Sequence, residues 1–269
     1  MDKTIKDFQK LVWNFYKKNK RNLPWRETHD PYKILVSEVM LQQTQADRVV
    51  PFYERWIQRF PNVKTLAKAN FSQIYPFWKG LGYNRRALAL QKLARVVLDT
   101  HQGKLPLGLE DLQALPGIGP YTARAISIFA YNRPLTCIET NIRRVFIHHF
   151  FADKNNITDK EILEIAERAC PAKPEGRSRE WHWALMDYGA MLGTTLSLSK
   201  GGNPNRRHKN YAIQSKFEGS LRQVRGRVLK SLADGPKNSR QLKAPKAVLQ
   251  ALEKEGFIRY NPKKKTYLL

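Results

Sequence analysis

The chain has 269 residues, 42% of them hydrophobic, which is enough to bury a sizeable core in one large domain or two. No run approaches the roughly 20 apolar residues that span a bilayer, and the opening MDKTIKDFQKLVWNFYKK lacks the apolar segment of a secretion signal. This argues against a membrane or exported protein and for an intracellular one, in cytoplasm or nucleoid. A formal net charge of +25 argues against a self-contained surface, because self-repulsion of that size calls for a polyanion, with nucleic acid first among candidates.

From Ile5 to Tyr16 apolar residues recur at helical spacing (Ile5, Phe8, Leu11, Val12, Phe15), predicting an amphipathic helix that ends before Asn22-Leu23-Pro24. The next helix should start with Asp30 as cap and Pro31 at its first position, carrying Tyr32, Leu35, Val36, Val39 and Met40 on one broad face. Further helices read at 46–59, 63–68, 71–77, 84–101 and 109–114. After Leu115-Pro116-Gly117-Ile118-Gly119-Pro120 follow helices at Tyr121 to Tyr131, Asn141 to Phe150, Asp159 to Ala169 and Trp181 to Leu196.

A polar break, Ser199-Lys200-Gly201-Gly202-Asn203-Pro204-Asn205, then leads into a smaller unit. Helices read there at Gln223 to Ala233, Ser239 to Leu242 and Lys246 to Glu255, and a hairpin at Phe257 to Tyr260 and Lys265 to Leu268 around Asn261-Pro262. Three helices and a basic hairpin resemble a winged helix. The predicted organisation is a helical domain over 1–200, a basic linker over 201–220 and a winged-helix-like unit over 221–269. The charge is uneven, with 18 Lys or Arg against 4 Asp or Glu from Lys200 to Leu269.

Only Cys137 and Cys170 are present, without partners at metal-ligand spacing, so each is a small core residue or an incidental thiol. The six histidines, among them His148, His149 and His182, show no metal spacing either. No metal site is predicted.

Two stretches carry chemistry. Leu115 to Gly119 lies between two helices, and its glycines suit a tight hairpin that can turn backbone N–H groups and a helix's positive end toward a phosphate. This is a helix-hairpin-helix signature, although a plain glycine turn reads the same way in isolation. The second, Ser37-Glu38-Val39-Met40-Leu41-Gln42-Gln43-Thr44-Gln45, sets a carboxylate in an apolar helix, with amides one turn on. Burial among Leu35, Val36, Val39, Met40 and Leu41 would raise the pKa of Glu38 as a general acid needs, and the amides suit insertion into a base stack.

Leu23-Pro24-Trp25-Arg26, Ser37 to Gln43, Gly80-Leu81-Gly82-Tyr83 and Leu115 to Tyr121, in this order, resemble the adenine DNA glycosylase (MutY) family over roughly residues 5 to 195. The resemblance implies a mainly α, two-lobed helix-hairpin-helix glycosylase fold with helical lobes flanking a DNA groove. It also implies a monomer acting on double-stranded DNA with a mismatch or damaged base. Glu38 then matches the catalytic acid, Gln43 and Tyr83 the residues that invade the duplex, and Thr44 and Leu81 neighbours that contact the opposite base. Arg26 matches a residue supporting the adenine pocket, and Gly117 and Gly119 the hairpin's DNA contacts. Tyr121 stands where bifunctional relatives carry a lysine nucleophile, which implies base removal without strand cleavage. Such chemistry requires extruding the nucleotide from the stack and holding two carboxylates in different environments, one donating a proton and one stabilising charge on the sugar.

Three departures qualify the match. The second carboxylate is an Asp in the family, two residues before an Asn, whereas the run here is Glu139-Thr140-Asn141. Glu139 is one methylene longer, and a shift on the order of 1 Å can cost about a hundredfold in rate. Thr140 or Asn141 could also serve merely as a helix cap, with Glu139 a surface charge. Most family members carry four cysteines holding a four-iron, four-sulfur cluster after the helix matching Trp181 to Leu196, but Ser199 and Asn205-Arg206-Arg207-His208 offer no thiolates. A cluster-free enzyme follows, in which Arg206 and Arg207 contact DNA directly or lie in a basic linker. Finally, the winged-helix-like end differs from the domain that reads 8-oxoguanine in many members. That leaves open removal of adenine opposite 8-oxoguanine or guanine, removal of thymine or uracil, and lesion binding without catalysis.

Overall fold

The computed structural model describes residues 3–171, 177–197 and 202–269, so Ser199-Lys200-Gly201 of the polar break lies outside the described residues. The architecture is mainly helical and divides into two compact units. The first comprises residues 1–38, 107–114 and 118–213, and the second residues 39–106, 115–117 and 214–269. Among the described residues no helix is long and apolar enough to cross a membrane.

The first unit is built on α1 (Lys3–Asn19), α7 (Leu109–Ala114), α8 (Pro120–Tyr131), α9 (Thr140–Phe150), α10 (Asp159–Ala169) and α11 (Ser178–Ser197). It also holds most of α2 (Pro31–Leu41). The stripe that α1 buries is Ile5, Phe8, Val12 and Tyr16, whereas Leu11, which the periodicity places with it, is 43% exposed. Four residues at 3–4 spacing make a narrower seam than five, and Leu11 falls one position off it. Phe8 anchors the core, its ring 5.5 Å from Phe146, 5.0 Å from Phe150 and 6.0 Å from Trp181. This stacks α1 on α9 and α11.

The second unit contains α3 (Ala46–Arg59), α4 (Val63–Lys68), α5 (Phe71–Trp78) and α6 (Arg85–Thr100). Asn62 and Asn70 close capping boxes with Thr65 and Gln73, which starts α4 and α5 where polar residues interrupt the apolar runs. Trp56 and Trp78 meet at 5.4 Å in its core. The same unit takes in α12 (Leu221–Leu232), α13 (Ser239–Leu242), α14 (Lys246–Glu255) and an antiparallel pair, β1 (Arg259–Asn261) with β2 (Thr266–Leu268).

The sequence sets 221–269 apart, but in the structure residues 214–269 share a unit with 39–106. Arg85 and Arg225 both bind Glu255 (2.8 Å), Lys79 lies 3.8 Å from Asp234, and Phe71 packs edge-on to Phe257 at 5.3 Å.

The stretch read as a basic linker is packed over its first part. Pro204, Asn205 and His208 are buried, residues 204–207 form a one-turn helix, and Ile157 exchanges backbone hydrogen bonds with Arg207 and Lys209. Its polar residues satisfy backbone groups of the helical domain, a use that composition alone does not reveal.

Candidate active site

The site in the first unit starts from α2. Asp30 accepts hydrogen bonds from the N–H groups of Tyr32 (2.8 Å) and Lys33, so the helix begins where the Asp-Pro pair places it. Residues 34 to 40 are then buried without interruption, because the helix is apolar on more than one face. Glu38 sits inside this run and is 6% exposed. Burial raises its pKa to about 7, a hydrogen bond from Tyr121 pulls it partly back, and the nearby Glu139 carboxylate adds to the rise. The Tyr121 hydroxyl, 2.9 Å from Glu38 Oε2, is itself held well above its ordinary pKa by burial and by Glu38, so it remains a donor.

Glu139 is where the local structure departs from expectation. The cap of α9 is neither Thr140 nor Asn141 but Glu139, whose Oε1 accepts from the backbone N–H groups of Asn141 and Ile142, both at 2.7 Å. The longer Glu side chain thus fills the cap role that Asp, Asn, Ser or Thr usually takes, folding back over the helix start. Asn141 Nδ2 donates to Glu139 Oε2 at 3.2 Å, leaving this carboxylate surrounded by donors. Desolvation pushes its pKa up, while these N–H groups and Arg144 offset part of the rise. Two carboxylates in unlike surroundings result, one against a phenol in an apolar helix and one on a helix N-terminus.

Arg144, which sequence reasoning missed, holds this arrangement. Its guanidinium donates to Asn141 Oδ1 (2.8 Å), to the Gly189 carbonyl (2.6 Å) and to Asn203 Oδ1 (3.3 Å). Glycines on α11 make the room: a Cβ at Gly193 would lie 2.6 Å from Arg144 Nη1, and one at Gly189 would lie 2.3 Å from the Asn141 carbonyl oxygen. Asn205 adds a bond from Nδ2 to the Thr140 carbonyl (3.0 Å). The signal that could have found these residues is the pair of glycines one turn apart in a long helix.

Arg26 supports rather than contacts. Its η nitrogens both bind Asp187 at 2.8 Å, its ring neighbour is Trp183 at 5.4 Å, and at 9% exposure it presents nothing to a phosphate. Arg207 is likewise engaged, donating to the Phe151 (2.6 Å), Ile147 (3.3 Å) and Ala152 carbonyls at the end of α9. That is a helix C-cap, which removes it from the predicted DNA contacts, while Arg206 stays exposed.

In the second unit, Gln43 and Tyr83 are exposed and take left-handed backbone angles, φ 57° and 48°. Non-glycine residues there carry strain that surrounding structure must hold in place. Arg86, also missed from sequence, does so. It is 8% exposed and donates to the carbonyls of Val39 (2.9 Å), Met40 (2.8 Å), Gln42 (2.5 Å) and Gly82 (3.1 Å), and to Thr44 Oγ1 (3.3 Å). One guanidinium thus joins the end of α2 to the 80–83 turn. Desolvation lowers its pKa to about 10, which leaves it charged.

Gln214 donates to the Tyr83 hydroxyl. Leu81 is 3% exposed and packs inward, so it is not placed to contact an opposite base. Gly117 has φ 81°, and a Cβ there would meet Ala89 at 2.8 Å, so both angle and space require glycine. Gly119 caps α8 in an extended conformation, with open space where its Cβ would be.

The two cysteines do not fit a four-thiolate cluster. Cys137 is buried, its thiol pushed well above the ordinary pKa, and its N–H donates to His182 Nε2 at 3.3 Å. Cys170 ends α10. Among the described residues no group of His, Cys, Asp and Glu could hold a metal ion.

The pattern of the HhH-GPD superfamily of base excision DNA repair proteins matches residues 36–172. The chain is 35% identical to an adenine DNA glycosylase of Mycobacterium tuberculosis over 237 residues, 84% of this chain and 77% of that protein. It is 31% identical to a thymine/uracil-DNA glycosylase of Methanothermobacter thermautotrophicus, over 71% of this chain and 86% of that protein. Among solved structures it is similar to a thermostable thymine-DNA glycosylase (TM-score 0.63, 30% identity, 70% of this chain and 87% of that one). A non-covalent endonuclease III–DNA complex shares the fold at TM-score 0.58 and 17% identity, over 75% of this chain and 91% of that one.

Proposed function

The chain belongs to the HhH-GPD superfamily of base excision DNA repair proteins and is a DNA N-glycosylase, and from that premise we propose that it removes adenine mispaired with 8-oxoguanine or guanine. The observation that carries this reading is the burial of Glu38 in an apolar helix, which raises its pKa to about 7 against the opposing Tyr121 hydrogen bond, so that a large share of this carboxyl group stays protonated near neutral pH. A purine leaves only after one of its ring nitrogens is protonated, so a neutral acid at this position suits adenine. The Glu38 proton passes to the base, the C1′–N9 bond breaks, and positive charge develops on the sugar. Glu139 stabilises that charge until a water oxygen adds to C1′ and the water proton passes to the now ionised Glu38, leaving free adenine, an abasic site and the acid restored. Tyr121 offers no amine, which supports hydrolysis without a lyase step.

With two cysteines for four ligand positions, we take the enzyme to work without an iron-sulfur cluster. The likeness to the thymine/uracil-DNA glycosylase favours a second reading, a pyrimidine mismatch enzyme on the same scaffold. Excision from duplexes carrying A opposite 8-oxoguanine, A opposite G, T opposite G and U opposite G separates the two. Release of adenine supports the first reading, and release of T or U alone replaces it with the second.

A further inference from the structure

Eight Lys or Arg stand against two Asp or Glu from Ser239 to the C-terminus, and none of the excision chemistry uses them. Their placement is organised. α13 and α14 are joined by the three residues Lys243-Ala244-Pro245, with Lys243 left-handed (φ 46°), which is the spacing of a helix-turn-helix. The hairpin follows at once, registered Arg259 to Leu268 and Asn261 to Thr266, and Lys237 pairs with Tyr267 through two backbone bonds (3.1 and 2.8 Å) as a third short strand segment. Helices and sheet close over Leu242, Val248, Leu249, Leu252 and Phe257, all buried.

What this core leaves outside is consistent in sign. On α14, Lys246, Gln250 and Lys254 are exposed at successive turns of one face. In the hairpin turn Lys263, Lys264 and Lys265 are all exposed, with Arg259 on the adjoining strand. The acids are largely occupied: Glu255 by Arg85 and Arg225, and Glu253 Oε1 by the Tyr260 N–H at 2.8 Å. Among the described residues no salt bridge reaches the lysines of this helix face or turn, and Glu253 is the one acid of α14 without a basic partner.

We propose that this C-terminal module is a second duplex-DNA site, with α14 facing a groove and the Lys263–Lys265 turn on the flanking phosphates. Flexible ammonium groups on an exposed turn suit phosphates as point charges, and the Lys-Gln-Lys helix face suits backbone and base edges alike. Because Glu255, Asp234 and Phe257 tie the module to α5, α6 and the loop before α6, it travels with the unit that carries Gln43 and Tyr83. It would lengthen the stretch of duplex held during search without touching the excised base. The inference goes beyond the choice of substrate base and does not depend on it.

The test is titration of the full chain with undamaged fluorescent duplex, one long enough to extend well beyond the excision unit and one short, between about 50 and 200 mM salt. The variant K263Q/K264Q/K265Q is compared with K6Q/K10Q/K17Q, which removes the same charge from exposed positions of α1. Loss of three phosphate contacts should make the log–log salt slope shallower by about 2.7 on the long duplex, at ~0.9 per contact, with less change on the short one. The α1 variant should shift it little. Equal slopes for the two variants, or no change in either, would overturn the proposal. A chain that binds in this way yet excises no base would count against the glycosylase reading alone.

Discussion

The two units differ in how they spend polar groups. In the first, polar groups are buried or half-buried against specific partners: Glu38 with Tyr121, Glu139 with Asn141 and the start of α9, Arg26 with Asp187, Arg144 with three acceptors. In the second, apart from the buried Arg86, the distinctive residues lie outside: Gln43 and Tyr83 on strained backbone, and exposed lysines on α14 and the hairpin turn. Burial tunes protonation, which chemistry on a base requires, and exposure leaves side chains free to meet a polyanion, which recognition requires. A buried and an exposed polar residue should therefore fail in opposite ways when replaced.

The largest effect is expected at Glu38. Glu38→Gln keeps the shape and the Tyr121 bond but not the proton, so single-turnover excision should fall by about 10²–10⁴-fold while mismatch affinity is retained. Equal loss of both would place Glu38 among the binding residues instead. Next comes Gly189→Ala, whose Cβ would collide with the Asn141 carbonyl oxygen at 2.3 Å. Thermal unfolding should show a loss of about 1–3 kcal/mol, with excision falling alongside it. An unchanged midpoint would mean that α9 and α11 are less tightly fixed than the Arg144 network requires.

In the second unit the sign reverses. Gln43→Gly relieves a left-handed residue at φ 57° and should stabilise or leave unchanged the folded state, by up to about 1 kcal/mol, while weakening mismatch-duplex binding in an anisotropy titration. Destabilisation by this change would remove the contrast between the units.

Which of these features could be read from sequence follows from how local their causes are. The start of α2 was legible because Asp30 and Pro31 act on their own turn, and Gly117 because a hairpin between helices needs a left-handed residue. Glu38 was legible through its apolar flanks, since burial of the helix entails burial of the acid. The supports were not. Arg86, Arg144 and Asp187 look like surface charges in sequence, and only chain segments tens of residues away make them interior. Residues 203–209 read as linker for the same reason, since the carbonyls that Asn205 and Arg207 satisfy belong to α9 and the residues just beyond it. At Glu139 the register with the family was visible in sequence, but not that this residue, rather than Thr140 or Asn141, caps α9.

The central claim is that Glu38 is a neutral acid near pH 7. Because its folded-state pKa is raised above that of an unfolded glutamate, the native state binds its proton more tightly. Stability from this group is thus complete at low pH and is lost as pH rises through about 7, and Glu38→Gln should gain up to about 3 kcal/mol over the parent at pH 8 and little at pH 5. The most direct measurement is titration of the Glu38 side-chain carboxyl by carbon NMR, assigned by its absence in Glu38→Gln. A midpoint near 7, matched by a fall in excision rate as pH rises through the same value, is the result this account predicts. A midpoint near 4.5 would contradict it, since the group would then be ionised where the enzyme must donate a proton.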